Sequence, residues 1–310
     1  MILSLRVGAD VAAARAMLRI SVGALTALSM SACSGAIAEP PKNDLLTEPT
    51  ATAVGPTPPE KDTKSTEVCE PGMLDVHKDD RGLVDRLHAR VEALDRSGPF
   101  LVDTGTSRTF ATRINDDPVY NTPAIIACRS TVIPVFDRGT GTTPNGEVQS
   151  GRLGVDLLMR GAYDLDLTNG TFTWATVNPP PPKNAIVLPL ETVHNWLVAS
   201  NVVVDGKVVK LLVDTGAHNI LLMSKTARPG ERMFKGVDGT GVEVTLFGAD
   251  GDVSLAGEKP RRLPVDRAET FPTLEKVIEG VGNDVVGLLG LSALGDKRII
   301  LSRDALVIVP

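Results

Sequence analysis

Two short motifs in this chain are of a type that can present carboxylates for chemistry. Asp103-Thr104-Gly105 follows Gly98-Pro99-Phe100-Leu101-Val102, and Asp214-Thr215-Gly216 follows Val209-Lys210-Leu211-Leu212-Val213. In each, an apolar strand runs into an Asp, which puts the carboxylate at a strand end, and the Gly lets the chain turn tightly. One such triplet is weakly specific and reads as a surface turn. Two of them, each after Leu-Val and each followed at a similar distance by Leu-Gly (Leu153-Gly154 and Leu289-Gly290), are hard to assign to chance. The chemistry of a carboxylate pair is proton sharing. Held about 3 Å apart, two carboxylates cannot both ionise, so one keeps a proton while the other is a base. Such a pair can activate a water and polarise a carbonyl with no metal and no covalent intermediate.

The elements that must position these loops also come twice. Leu153-Gly154-Val155-Asp156-Leu157-Leu158 is answered by Leu289-Gly290-Leu291-Ser292-Ala293-Leu294, and Tyr163-Asp164-Leu165-Asp166-Leu167 by Ile299-Ile300-Leu301-Ser302. The shared order is strand, Asp-Thr-Gly loop, long variable stretch, Leu-Gly, short helix, final strands. Turn signals predict three hairpins: at Asp205-Gly206, at Asn169-Gly170, and a longer one at Gly248–Asp252. Leu83, Leu87, Val91 and Leu94 are spaced for a helix face. The repeat instead makes Val91–Leu94 a strand, and the repeat takes precedence.

On Asp103-Thr104-Gly105, Asp214-Thr215-Gly216, Leu288-Leu289-Gly290 and the weaker Arg152-Leu153-Gly154, the chain resembles the aspartic peptidases of the retropepsin and pepsin kind, bacterial retropepsin-like proteins above all. The resemblance covers nearly all of residues 85–310. It implies a mostly β, bilobal acid-protease fold with two homologous lobes, a cleft between them, and an Asp103/Asp214 dyad. The dyad would hydrolyse peptide bonds in a peptide or protein substrate without a cofactor. The pair titrates as a unit, so acid and base are not separately assigned. The resemblance further implies that Thr104 and Thr215 cross-link the two loops. Gly105 and Gly216 would leave room for substrate and offer backbone N–H groups. Thr106 resembles the pepsin habit at its position and Ala217 the retroviral one. With both lobes in one chain, a monomeric pseudodimer is expected.

Two residues depart from the pattern: Arg152 stands where an apolar residue is expected, and His218 where a small one is common. His218 either perturbs the dyad or faces solvent. Both keep a second function in view, a catalytically silent envelope lipoprotein that binds peptides in the same cleft. A hairpin covering the substrate is expected at Thr240–Ser254, with a shorter first-lobe counterpart at Phe136–Gly146.

Composition narrows the partners. The 310 residues carry a formal net charge of −6, with 29 Gly and 22 Pro but 4% aromatics, which favours turns and short strands. No cluster of Lys and Arg is present to neutralise phosphates, so nucleic acid is not the expected partner. His77, His88, His194 and His218 never form a His-Glu-x-x-His motif, and Gly290–Gly295 misses the Gly-x-Ser-x-Gly spacing by one residue.

The N-terminal 1–38 read as an export signal, with Arg15 and Arg19 before an apolar run from Ile20 to Met30. Met30-Ser31-Ala32-Cys33 resembles a lipobox, which makes Cys33 a lipidation site and places the chain on a bacterial membrane, facing the periplasm or the outside. The competing reading is cleavage after Ala36-Ile37-Ala38. Residues 39–67 are polar and Pro-rich, a flexible tether. The lobes then span 68–177 and 184–310, joined by the Pro-rich linker 178–183. With Cys33 lipidated, Cys69 and Cys128 remain as an even pair for a disulfide in an oxidising compartment.

Overall fold

Alternation of buried and exposed positions marks the strands. Asn121–Ile126 reads exposed, buried, exposed, buried along its whole length, as a half-buried pleated strand requires. In Val84–Ala93 the residues Leu87, Ala89, Val91 and Ala93 are all buried on one face. This computed structural model describes residues 70–113, 120–137, 141–175, 179–224, 230–238, 242–282 and 284–310. The expected signal, the tether, Cys33 and Cys69 lie outside the described residues. Cys128, at the tip of a hairpin, is disulfide-bonded.

The first half contains β1 (Gly72–Lys78), β2 (Val84–Ala93), β3 (Arg96–Val102), β4 (Phe110–Thr112), β5 (Asn121–Ile126), β6 (Arg129–Phe136), β7 (Gly151–Leu153), β8 (Ala162–Asp166) and β9 (Thr171–Ala175). The second contains β10 (Ile186–Val193), β11 (Trp196–Val204), β12 (Lys207–Val213), β13 (Ile220–Met223), β14 (Arg232–Val237), β15 (Glu243–Leu255), β16 (Arg261–Ala268), β17 (Val285–Leu289), β18 (Arg298–Ser302) and β19 (Ala305–Val309). One α-helix, α1 (Pro272–Val281), lies between β16 and β17, and short 3-10 turns at Val155–Arg160 and Leu291–Ala293 follow β7 and β17. Among the described residues no helix is long and apolar enough to cross a membrane.

The ladders of the first half recur in the second. Strand β3 runs parallel to β7 as β12 does to β17. Strand β4 runs parallel to β6 as β13 does to β16. Antiparallel pairs β2–β3, β2–β5 and β4–β7 match β11–β12, β11–β15 and β13–β17. A third sheet ties the halves together: β9, β8, β18, β19 and β10 pair in that order. The whole set of pairings closes into a barrel. One core cluster runs through both halves, with Phe100, Val102 and Leu153 from the first and Val213, Leu289 and Leu301 from the second.

Two expected hairpins form. The β11–β12 turn holds Asp205 at φ 50° and Gly206 at φ 76°, the left-handed pair such a turn needs. Gly170, at φ 63°, turns β8 into β9. The third does not form: Gly248–Asp252 lies inside the continuous strand β15, which pairs with β16 from Leu246↔Ala268 to Val253↔Arg261. Its glycines answer crowding, not turning. A Cβ on Gly248 would meet Asp266 Oδ1 at 2.8 Å, and one on Gly251 would meet Val265 Cγ2 at 2.9 Å. The turn falls instead between β14 and β15, where the Asp238 amide donates to the Val242 carbonyl (2.9 Å) and Val237 and Val242 are exposed. The covering hairpin expected at Thr240–Ser254 is therefore centred earlier in the chain, and Thr240 lies outside the described residues. Of the first-half counterpart expected at Phe136–Gly146, residues 138–140 lie outside the described residues. Phe136 ends β6, and Thr142 bridges Val148 in a turn leading to β7, the place in the order that α1 takes in the second half.

That difference changes one face of the first sheet. In the second half α1 covers Val198, Leu212, Leu221 and Val285. By register, His88 (opposite Leu101) occupies the place of Val198 (opposite Leu212). His88 is wholly buried, edge-on to His77 at 5.6 Å, with Nε2 3.2 Å from Gln149 Nε2. Burial first, then His77, Arg86 and Arg90 against the opposing Asp75, push His88 down to about 4. A depressed folded value means this histidine supports the fold above its unfolded value of about 6.5 and loses that support as pH falls toward 4. His88→Val should therefore lose less melting temperature than wild type between pH 7 and 4.5, by the equivalent of up to about 3 kcal/mol. Thermal melts across that range check it, and equal acid losses in both proteins would contradict it.

Candidate active site

The paired parallel strands bring the two Asp-Thr-Gly loops together. Strand β3 beside β7 carries Val102 opposite Leu153, and the Asp103 amide donates to the Leu153 carbonyl at 3.0 Å. Strand β12 beside β17 carries Val213 opposite Leu289, and the Asp214 amide donates to the Leu289 carbonyl at the same 3.0 Å. Each loop is thus pinned at its first residue by the Leu of the Leu-Gly pair. Each closes by an amide donating back to the Asp carbonyl, from Thr106 at 3.1 Å and from Ala217 at 3.2 Å.

The two threonines cross. The Thr104 hydroxyl donates to the Val213 carbonyl (2.8 Å) and accepts from the Thr215 amide (3.0 Å). The Thr215 hydroxyl donates to the Val102 carbonyl (2.8 Å) and accepts from the Thr104 amide (3.1 Å). Both residues are wholly buried, so these four bonds satisfy groups that water cannot reach. The carboxylates also cross. A Cβ on Gly105 would lie 2.5 Å from Asp214 Oδ1, and one on Gly216 would lie 2.5 Å from Asp103 Oδ1. Each glycine is the contact surface for the opposite Asp, so neither tolerates a side chain.

Around the carboxylates the two loops differ. Asp103 Oδ2 accepts from the Thr106 hydroxyl at 3.0 Å and from Arg152 Nη1 at 2.7 Å. Asp214 Oδ1 accepts from the Gly216 amide at 2.8 Å. Asp214 keeps some open surface yet is surrounded by protein. Desolvation, and then the Asp103 charge, push its carboxyl up to about 7, against the Gly216, Ala217 and Gly105 amides. The site therefore couples two carboxyl groups with a proton available near neutrality, the condition for acid and base to act side by side.

The sequence-derived set Asp103, Asp214, Thr104, Gly105, Thr106, Thr215, Gly216 and Ala217 is gathered in this one place. Arg152, read only as a departure, joins it. His218 does not simply face solvent: its ring is half-buried between Asp79 (3.3 Å) and Asp85 (3.8 Å) of the first half. A histidine beside two carboxylates distant in sequence leaves no local signal. Among the described residues no group of three or more His, Cys, Asp and Glu is placed to hold a metal ion. A cavity of about 160 Å³ between Asp205, Glu231 and Arg267 contains none of the motif residues, and Arg267 bridges Glu231 (2.6 Å) and Asp205 (3.3 Å) there. Neither protein-family models nor curated proteins give a match to this chain.

Proposed function

We propose that the chain is a bilobal aspartic endopeptidase whose Asp103/Asp214 dyad hydrolyses peptide bonds. The observation that carries this reading is the double crossing, threonine to opposite backbone and glycine to opposite carboxylate, which joins two loops 111 residues apart. In the reaction one carboxylate takes a proton from water as the oxygen attacks the peptide carbonyl carbon. The other gives its proton to the carbonyl oxygen. The tetrahedral adduct then collapses, the C–N bond breaks, and the amine leaves with a proton returned through the dyad. Electrostatics supply the rest, since buried carboxyls need no reorganisation as charge develops.

Extended peptide is the substrate class, and the β14–β15 hairpin, exposed at Val237 and Val242, is the segment that would cover it. The disulfide at Cys128 suits an oxidising compartment, in keeping with export, lipid anchoring through Cys33, and Cys69 as the partner of Cys128.

Two results test the reading. Cleavage should decline as pH rises through about 7, because deprotonating Asp214 removes the acid. A peptide with a hydroxyl-bearing tetrahedral carbon in place of the scissile amide should inhibit, because it imitates the adduct. Activity that stays flat to pH 9, or indifference to such a mimic, would count against the dyad. A second reading, a peptide-binding protein that does not cleave, draws on the Arg152–Asp103 ion pair, which ties up a carboxylate the reaction needs as a base.

A further inference from the structure

Asp103 and Asp214 occupy equivalent loops, but their neighbours are not equivalent. Arg152 on β7 lies opposite Leu101 and Phe110, as Leu288 on β17 lies opposite Leu212 and Leu221. An apolar position of the second half is thus a guanidinium in the first. Thr106 and Ala217 form a second unequal pair: the carbonyl of each accepts the amide of a residue just past Leu-Gly, Val155 and Leu291. Both differences act on one atom. Asp103 Oδ2 receives Nη1 at 2.7 Å and the Thr106 hydroxyl at 3.0 Å, while the Asp214 loop offers Leu288 and Ala217 at those places.

The Asp103 side chain is 6% exposed and that of Arg152 25%, so this ion pair is poorly screened by water. A proton arriving on Asp103 Oδ2 would have to displace a charge-assisted hydrogen bond. Asp214 has a backbone amide, that of Gly216 at 2.8 Å on Oδ1, where Asp103 has a guanidinium. Other charged groups of the neighbouring elements are engaged elsewhere: His218 with Asp79 and Asp85, Asp156 with Thr109, and Asp266 with Asn219, while Arg108 is exposed.

We propose that Arg152 is a positioning residue that breaks the symmetry of the dyad, holding Asp103 as the ionised base and leaving the shared proton on Asp214. The assignment deepens the peptidase reading and rests on it only for its kinetic consequence. The same contact that favours the silent alternative becomes, on this view, the device that sets which carboxylate does what.

The test is a carboxyl ¹³C titration of the intact protein labelled at aspartate, with Asp103→Asn and Asp214→Asn identifying the two signals. At pH 5.5 the wild type should show Asp214 protonated and Asp103 ionised. In Arg152→Leu, which copies the second half, the proton should divide between the two. The acid limb of any cleavage profile should then move up by about one pH unit or more, the effect of removing an opposite charge at contact distance. Arg152→Lys keeps the charge and should stay near wild type. Thr106→Ala should move the signals in the same direction as Arg152→Leu, but less. If Arg152→Leu does not fold, the Lys and Ala variants still decide. A wild-type proton found on Asp103, or a Leu or Ala variant titrating like wild type, would overturn the proposal. The carboxyl readout needs no substrate. A wild type that cleaves nothing yet protonates Asp214 first therefore upholds the role of Arg152 while removing the peptidase reading.

Discussion

Asp103→Asn and Asp214→Asn are each expected to abolish peptide cleavage, with losses of at least about a thousandfold, while leaving the fold in place. Asn is nearly isosteric with Asp, and the threonine crossing that joins the loops does not involve either carboxylate. Neither single variant retains both a base and an acid. The double variant should be little worse than either single one, because groups that act as a unit do not contribute additively. Rates of the three variants on one peptide check this. Substantial activity surviving in one Asn variant would mean that the loops do not form a joint site.

The second large effect concerns stability. Thr104→Val or Thr215→Val removes one hydroxyl that both donates and accepts across the loops at 2.8–3.1 Å in a wholly buried place. Each change strands a backbone amide and a carbonyl of the opposite loop, at about 1–3 kcal/mol per stranded group, so about 2–6 kcal/mol in all. Thr→Ser at the same position keeps both bonds and loses only a methyl group, about 1 kcal/mol. Chemical denaturation of the four variants gives the comparison. Val and Ser variants of equal stability would show that the crossing bonds contribute nothing.

What the sequence revealed and what it hid follow from the range of each signal. The Asp-Thr-Gly loops, the Leu-Gly partners and the Asp205-Gly206 turn are local and repeated, so they could be read directly. Leu87 and Val91 left the periodicity ambiguous because a spacing of four satisfies both a helical turn and strand alternation, and the repeat decided for a strand. Burial of Ala89 and Ala93 between and beyond them settles β2 as a strand. Gly248 and Gly251 misled because a glycine looks the same whether it permits a turn or permits close packing. Here it is the neighbouring Asp266 and Val265 that demand it. Arg152 was visible as an exception, but its meaning depends on the parallel register of β3 and β7, which places a long side chain beside the residue two places beyond its partner Leu101. His88 and His218 gave no sign of their burial or partners. Their environments come from segments distant in the chain, or from the turn that stands where α1 would be.

The central claim is that two crossed Asp-Thr-Gly loops make one peptide-hydrolysing centre. The most direct measurement is product analysis by mass spectrometry after mixing the wild-type protein with unstructured peptides from pH 3 to 9. Cleavage of internal bonds is predicted, fading above about pH 7 as Asp214 gives up its proton and absent from Asp214→Asn at every pH. Peptides that bind yet remain intact across the whole range would contradict it.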